Sequence, residues 1–118
     1  MSTDFEALIK ELRVDYLKSF PEKIATLQKF FAEKNWPSLE NEFHKIKGTG
    51  KTYGVPEMSD VCGLMENICR NKSEKIGLGF PASIEVIENI EKAYQTKTDV
   101  GLEELESYNK LREIAGPQ

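Results

Sequence analysis

The chain has 118 residues, 39% of them apolar and 31% charged, the balance of one folded globular domain rather than of a disordered segment. Its formal net charge of −4 argues against the large basic surface of a nucleic-acid-binding protein. The sequence contains neither the roughly 20 apolar residues of a spanning helix nor a secretory signal pattern. We therefore expect a cytoplasmic protein with neither a membrane nor a nucleic acid as partner.

The first half of the chain has the apolar periodicity of three helices. The first predicted helix carries the apolar residues Phe5, Leu8, Ile9, Leu12 and Tyr16 at helical spacing. Ser19 and Glu22 have the spacing of a capping box, which predicts a break near Ser19 and a second helix. The inward-facing residues of that helix are Ile24, Leu27 and Phe31. Asn35-Trp36-Pro37 begins a third predicted helix that runs to about Tyr53.

The second half predicts a turn and three more helices. Gly54 and Val55 form the turn, and Pro56 begins a fourth helix. Its apolar stripe consists of Met58, Val61, Cys62, Met65, Ile68 and Cys69. The polar stretch 71–79 contains two glycines and is predicted as a loop. A fifth helix follows Pro81, and Asp99 caps a last one. The apolar residues of these two helices are Ile84, Ile87, Ile90, Tyr94, Leu102, Leu105, Tyr108 and Leu111.

These elements predict an all-α fold, an antiparallel four-helix bundle with additional N-terminal and C-terminal helices. Residues 1–118 form a single domain, with the core over about 4–96 and an extra C-terminal helix over about 99–115. Cys62 and Cys69 lie on one predicted helix, whose rise separates their Cα atoms by roughly 10 Å, too far for a disulfide. We expect both thiols to be reduced and buried.

The only histidine, His44, lies in the third helix. At 100° per residue, one stripe of that helix collects the residues expected to be buried, namely Leu39, Phe43, Ile46, Gly50 and Tyr53. The opposite side collects His44, Lys47, Gly48 and Lys51. The imidazole therefore points to solvent or a groove edge, beside two ammonium groups that favour a dianion.

Two glycines follow the histidine. A glycine such as Gly48 inside a helix costs roughly 1 kcal/mol relative to alanine. We interpret its missing side chain as room for the close approach of a partner, with drift or helix packing as the alternative. Gly50 lies on the buried stripe, where helix–helix packing is the preferred explanation.

The hairpin of the third and fourth helices places a carboxylate opposite His44. If the two helices run antiparallel about residue 55, His44 lies level with Glu66. Glu66 could accept a hydrogen bond from one ring nitrogen and leave the other free as a nucleophile. The alternative is an ordinary exposed glutamate. Arg70, one turn later, could add positive charge near the site, or it could simply be solvated.

The spacing His-x-x-Lys-Gly, with a glycine ten residues after the histidine, is formed by His44, Lys47, Gly48 and Gly54. With Glu66 in the next helix, the pattern resembles the signature of histidine phosphotransfer (HPt) domains over residues 5–70. Cys62 also stands where such domains commonly carry a cysteine. Phe43 departs from the pattern, because the family usually has a small residue there, and so does the Gly50-Lys51 pair.

The resemblance implies a phosphocarrier in a two-component phosphorelay. His44 accepts a phosphoryl group through Nε2 from a receiver-domain aspartate or a kinase and passes it to another receiver. Lys47 and Glu66 are the other residues expected to take part directly in the transfer. Phosphoryl stabilisation or partner docking falls to Gly48, Lys51, Glu40 and Arg70. The expected partners are response-regulator receiver domains and a hybrid sensor histidine kinase.

The resemblance also implies what the chain itself does not supply. We expect no cofactor and no metal ligands, with the divalent metal on the partner receiver. We expect a monomer, and a carrier rather than a true enzyme, because no nucleotide-binding or kinase motif is present for phosphorylation from ATP.

Two alternatives stay open. One is a docking or adaptor module of the same fold in which His44 is not phosphorylated. The other is an unrelated enzyme that uses Glu66, Glu40 and His44 as acid–base groups, which would require a concave pocket.

Overall fold

The computed structural model describes the backbone of residues 2–117 and the side chains of residues 4–117. The described chain contains six α-helices and two short 3₁₀ turns. The helices are α1 (Ser2–Lys18), α2 (Phe20–Ala32), α3 (Trp36–Gly50), α4 (Pro56–Asn71), α5 (Ile76–Thr96) and α6 (Glu106–Ala115). The 3₁₀ turns are Ser73–Lys75, before α5, and Leu102–Glu104, before α6. The predicted all-α class is confirmed.

Helices α2–α5 form the four-helix bundle, and their apolar stripes meet in one core. Its largest fully buried side chains from these helices are Phe20, Leu27, Leu39, Phe43, Ile46, Met58, Met65, Ile68, Ile76, Ile87 and Ile90. Phe43 meets the ring of Phe80 edge-on, with 6.3 Å between the ring centroids. The bulky residue that departs from the HPt pattern is therefore part of the core.

Helix α3 begins where the sequence predicts and ends earlier than predicted. The side chain of Asn35 caps it by accepting a hydrogen bond from the backbone N–H of Ser38 at 3.3 Å. It ends at Gly50 rather than near Tyr53, because the chain turns toward α4 and the N–H of Val55 donates to the carbonyl of Gly50 at 2.8 Å. Gly54 adopts a φ of +77° within this turn, a conformation that favours glycine.

The prediction that one apolar face of α1 is buried is wrong for most of the helix. Tyr16 is buried, but the side chains of Phe5, Leu8 and Leu12 are exposed. The contacts of α1 with the bundle come from its last turns: Tyr16 stacks on Tyr53 and packs edge-on against Phe20. The first half of α1 therefore adds nothing to the core, although its residues have helical spacing.

The break between α1 and α2 lies at Ser19, as predicted, but without the capping box. The hydroxyl of Ser19 donates to the carbonyl of Tyr16 and accepts a hydrogen bond from the ammonium of Lys23 at 2.6 Å. It therefore bonds to a carbonyl of the preceding helix instead of to an amide of α2.

The stretch predicted as a loop before Pro81 is largely helical, so this prediction is wrong. Helix α5 begins at Ile76 and contains Pro81 in its second turn. Burial of Ile76 and Phe80 against the core stabilises this early start. Gly79 lies against α4, since a Cβ there would be 3.1 Å from the side chain of Ile68. A glycine interpreted as a loop signal therefore marks a close helix–helix contact.

The last helix also differs from the prediction. Asp99 does not cap it; α6 begins at Glu106, after a turn in which Gly101 has a φ of +57°. Leu111 and Ala115 are fully buried, so the core extends well past the predicted limit near residue 96. Helix α6 therefore packs on the bundle and contributes side chains to its core.

Cys62 and Cys69 are free and buried, as predicted. Burial raises the pKa of the Cys69 thiol to about 12 and that of Cys62 still further. Both thiols are therefore protonated core side chains at neutral pH. None of the helices among the described residues has the length and apolar character needed to cross a membrane.

Gly50 packs against the start of α4, which confirms the packing interpretation of this residue. A Cβ at Gly50 would be 2.5 Å from the Ser59 hydroxyl and 2.8 Å from the Ser59 backbone nitrogen. We expect Gly50→Ala to lower the free energy of unfolding by about 1–3 kcal/mol, because α4 must shift to admit the methyl group. Chemical denaturation measures this loss. Gly77→Ala is the control, since a Cβ there has no neighbour within 4 Å; an equal loss in both variants would contradict the packing argument.

Candidate functional site

His44 projects from the convex surface of α3. Its side chain is 65% exposed, and its Nδ1 atom is hydrogen-bonded to Oε2 of Glu66 on α4. The two residues come level because α3 and α4 form an antiparallel hairpin around the turn at Gly54 and Val55. The structure therefore brings together the pair that the hairpin geometry predicts, while the catalytic role of the pair stays a prediction.

Glu66 is the buried anion at the centre of this site. Its side chain is only 5% exposed, and it accepts a hydrogen bond from the Lys47 ammonium at 3.2 Å. The guanidinium of Arg70, one turn along α4, lies 3.6 Å from its other oxygen. Burial by itself would raise the pKa of Glu66, but the hydrogen bonds from His44 and Lys47 outweigh burial and hold this pKa below its ordinary value. Glu66 is therefore ionised at neutral pH.

The ionised carboxylate determines which ring nitrogen carries the proton. A carboxylate accepts hydrogen bonds and donates none, so the bond to Glu66 requires a proton on Nδ1 of His44. In the neutral imidazole, Nε2 then keeps its lone pair. The arrangement presents an exposed, oriented nitrogen nucleophile whose opposite side is held by a buried negative charge.

Of the other charged residues predicted at the site, Glu40 and Arg70 join the Glu66 network, and Lys51 does not. Arg70 bridges Glu66 and Glu40, with 3.4 Å between its guanidinium and the Glu40 carboxylate. Lys51 lines the same cleft as Lys47 and Asp60 of α4, and its positive charge acts on Asp60. Lys47 therefore supplies the ammonium closest to the imidazole partner, and Lys51 is not part of the same network.

Gly48 leaves the surface one turn after His44 open. The residue is exposed, and a Cβ built there would meet nothing within 4 Å. Packing within the described chain therefore does not require a glycine at this position.

The sequence did not predict a cleft that opens beside α3. The cleft has a volume of about 470 Å³ and lies where α3, α4 and α6 meet. Its lining includes Lys47, Lys51, Asp60, Tyr108 and Arg112, but not His44. The imidazole thus lies on the convex surface, unlike the acid–base groups of an enzyme with a concave active site.

The sequence patterns gave Ser59 no role, yet its side chain connects α4 to the end of α3. A signal was present: around residue 55, position 59 lies level with Lys51, and it is a polar residue beside the apolar stripe of α4. Among the described residues, His, Cys, Asp and Glu side chains form no group of three that could hold a metal ion.

A family model described as "Hpt domain" matches residues 11–105 of the chain. The protein belongs to the Hpt domain family. This Hpt domain is thus a phosphotransfer module of two-component signalling, a class of module that interacts with receiver domains and kinases. The match includes α2–α5 entirely and ends just before α6. A search of curated proteins found no match, and a search of solved structures found none either.

Proposed function

We propose that this protein accepts a phosphoryl group on Nε2 of His44 from a receiver-domain aspartyl phosphate and passes it to the aspartate of another receiver. The observation that carries the proposal is the hydrogen bond between Nδ1 of His44 and the buried carboxylate of Glu66. It supports an exposed imidazole whose Nε2 lone pair is free. A hybrid sensor kinase and a response regulator are the expected donor and acceptor, since they carry such receivers.

The proposed transfer is an in-line displacement. The Nε2 lone pair forms a bond to phosphorus as the bond from phosphorus to the aspartate oxygen breaks, and the aspartate leaves as a carboxylate. The proton on Nδ1 stays in place, so the phosphorylated ring carries a positive charge that Glu66 offsets. Lys47 stabilises the transferring oxygens. Any divalent ion that the reaction needs would be held by the receiver.

The test is phosphoryl transfer from a receiver domain charged with a small phosphodonor. We expect the wild-type chain to gain one acid-labile phosphoryl group, measured by intact mass before and after acid treatment. His44→Gln should gain none while it keeps its helical circular dichroism spectrum. No gain in the wild type with several receivers would contradict the proposal and favour a docking module that is not phosphorylated.

Lys47→Ala should slow transfer by about tenfold, because it removes the cation nearest the developing charge. The fold should be retained, since the Lys47 side chain is 51% exposed. Rapid-quench kinetics measure the rate at saturating receiver. Lys45→Ala is the control: it removes the same charge from the same helix, but from a lysine that pairs with Glu42 at 3.1 Å. Equal slowing in both variants would indicate a general charge effect and contradict the specific role of Lys47.

A further inference from the structure

Ser59 is a buried polar residue of α4, and its hydroxyl makes two hydrogen bonds to the backbone at the end of α3, one to the helix and one to the residue that follows it. It donates to the backbone carbonyl of Lys47 at 2.7 Å and accepts from the backbone N–H of Lys51 at 2.9 Å. In an ordinary helical turn, a carbonyl and an amide four residues apart bond to each other. At the ends of α2 and α4 they do so, with distances of 3.0 Å from Glu33 to Lys29 and 2.8 Å from Lys72 to Ile68. At the end of α3 the hydroxyl of a neighbouring helix bridges the pair.

The backbone of α3 is shaped to admit this hydroxyl. Gly50 lies between the two bridged residues, and a Cβ there would be 2.5 Å from the Ser59 oxygen. The glycine and the serine therefore form a matched contact, in which the missing side chain on α3 makes room for the hydroxyl of α4. Such a close contact opposes sliding of α4 along α3.

Lys47 joins this contact to the acceptor site. Its backbone carbonyl accepts from Ser59, and its side chain donates to Glu66 at 3.2 Å. Glu66 in turn holds His44. Ser59 and Glu66 lie seven residues apart, about two turns along one side of α4. Helices α3 and α4 are thus connected at two heights, and Lys47 takes part in both connections.

The bond between His44 and Glu66 depends on the axial alignment of α3 and α4. One residue advances a helix by about 1.5 Å, whereas hydrogen-bond lengths vary over only about 0.5 Å. A slide by a fraction of one residue would therefore weaken the bond that orients the imidazole. The contact of Ser59 with Lys47 and Lys51 opposes such a slide because it bonds side chain to backbone, without a long flexible side chain.

We propose that Ser59 is a positioning residue for phosphoryl transfer: its hydroxyl, bridging the Lys47 carbonyl and the Lys51 amide, holds α3 and α4 in the alignment that keeps Nδ1 of His44 bonded to Glu66. This inference rests on the proposed function for its kinetic part, and its structural part stands independently.

The experiment compares Ser59→Ala with Ser83→Ala. Both remove one buried hydroxyl that donates to a backbone carbonyl at 2.7 Å, but Ser83 does so within α5, to Phe80. His44 is the only histidine, so 15N labelling of histidine reports one imidazole, and its nitrogen shifts give the proportion of each tautomer. The transfer rate from a phosphorylated receiver is measured on the same samples.

In Ser59→Ala we expect a mixture of tautomers, faster exchange of the Lys51 amide, and transfer slowed by roughly three- to tenfold, less than the about 100-fold cost of a 1 Å misplacement. Ser83→Ala should keep the wild-type tautomer and rate. Ser59→Thr retains a hydroxyl and should keep the wild-type tautomer and the wild-type transfer rate. This variant tests the role of the hydroxyl if the alanine variant does not fold.

A folded Ser59→Ala with the wild-type tautomer and rate would overturn the proposal, as would loss of the tautomer in a folded Ser59→Thr. If the wild type accepts no phosphoryl group, the proposed function fails. The tautomer measurement still decides whether Ser59 aligns His44 with Glu66, so the two failures are distinguishable.

Discussion

Replacement of Glu66 by alanine is expected to slow phosphoryl transfer to His44 by about 100-fold, since it removes the group that orients the reacting ring. In the wild type, the carboxylate is hydrogen-bonded to Nδ1 and leaves the Nε2 lone pair of the neutral ring free. Without it, the neutral ring can place its proton on either nitrogen and can rotate away from the productive direction. The positive charge of the phosphorylated ring would also lose its buried counter-ion.

The fold should tolerate this change. The three partners of Glu66 are His44, Lys47 and Arg70, and their side chains are all more than half exposed, so water can replace the lost bonds. We expect the free energy of unfolding to fall by less than about 2 kcal/mol. Rapid-quench transfer kinetics and urea denaturation on the same preparation measure the two effects.

Glu57→Ala is a matched control for Glu66→Ala. It removes another carboxylate from α4, one that accepts a hydrogen bond from the hydroxyl of Tyr94 at 2.7 Å and makes no contact with His44. Transfer by Glu57→Ala should match the wild type. A wild-type rate in Glu66→Ala would refute the orienting role of the carboxylate, because no other described side chain is bonded to the ring.

Gly48→Gln is expected to weaken receiver binding by at least about tenfold while it leaves the fold as stable as the wild type or more stable. The glycine costs roughly 1 kcal/mol of helix propensity relative to alanine, and the position is open, so a glutamine adds stability without a clash. The same side chain projects one turn from His44, where the proposed function requires the receiver to approach closely. Opposite changes in stability and affinity would distinguish a functional glycine from a structural one.

Calorimetric titration with a receiver domain and thermal unfolding measure the two effects of Gly48→Gln. Gly77→Gln is the control: this residue is also exposed and open, but it lies at the start of α5. Its affinity for the receiver should equal that of the wild type. Normal receiver binding by Gly48→Gln would rule out the close-approach interpretation. Neutral sequence drift would then account for the glycine.

Local sequence patterns were sufficient for the elements closest to the site. The cap at Asn35, the start of α4 at Pro56 and the pairing of His44 with Glu66 all follow from short-range rules: cap chemistry, helical periodicity and equal distances from a hairpin turn. These rules hold here because α3 and α4 are consecutive and joined by a short turn. Their relative alignment is thus nearly determined by the chain itself.

The predictions that failed depended on distant parts of the chain. The apolar residues Phe5, Leu8 and Leu12 have the spacing of a core face, yet they are exposed, because periodicity does not say which surfaces a helix reaches. The glycines near Pro81 were interpreted as a loop, whereas Gly79 permits α5 to contact α4. Whether a glycine is a break or a close contact depends on the neighbour that approaches it.

The sequence by itself determined the helical class, the exposed position of His44 and its carboxylate partner, since each depends on residues close together in the chain. Only the tertiary structure decided that the Lys51 side chain acts on Asp60 rather than on Glu66, that α6 contributes to the core, and that Ser59 bridges the end of α3. The physical reason is the same in each case. Side-chain partners are selected by how helices pack, and packing depends on the shape of the whole core rather than on the spacing within one helix.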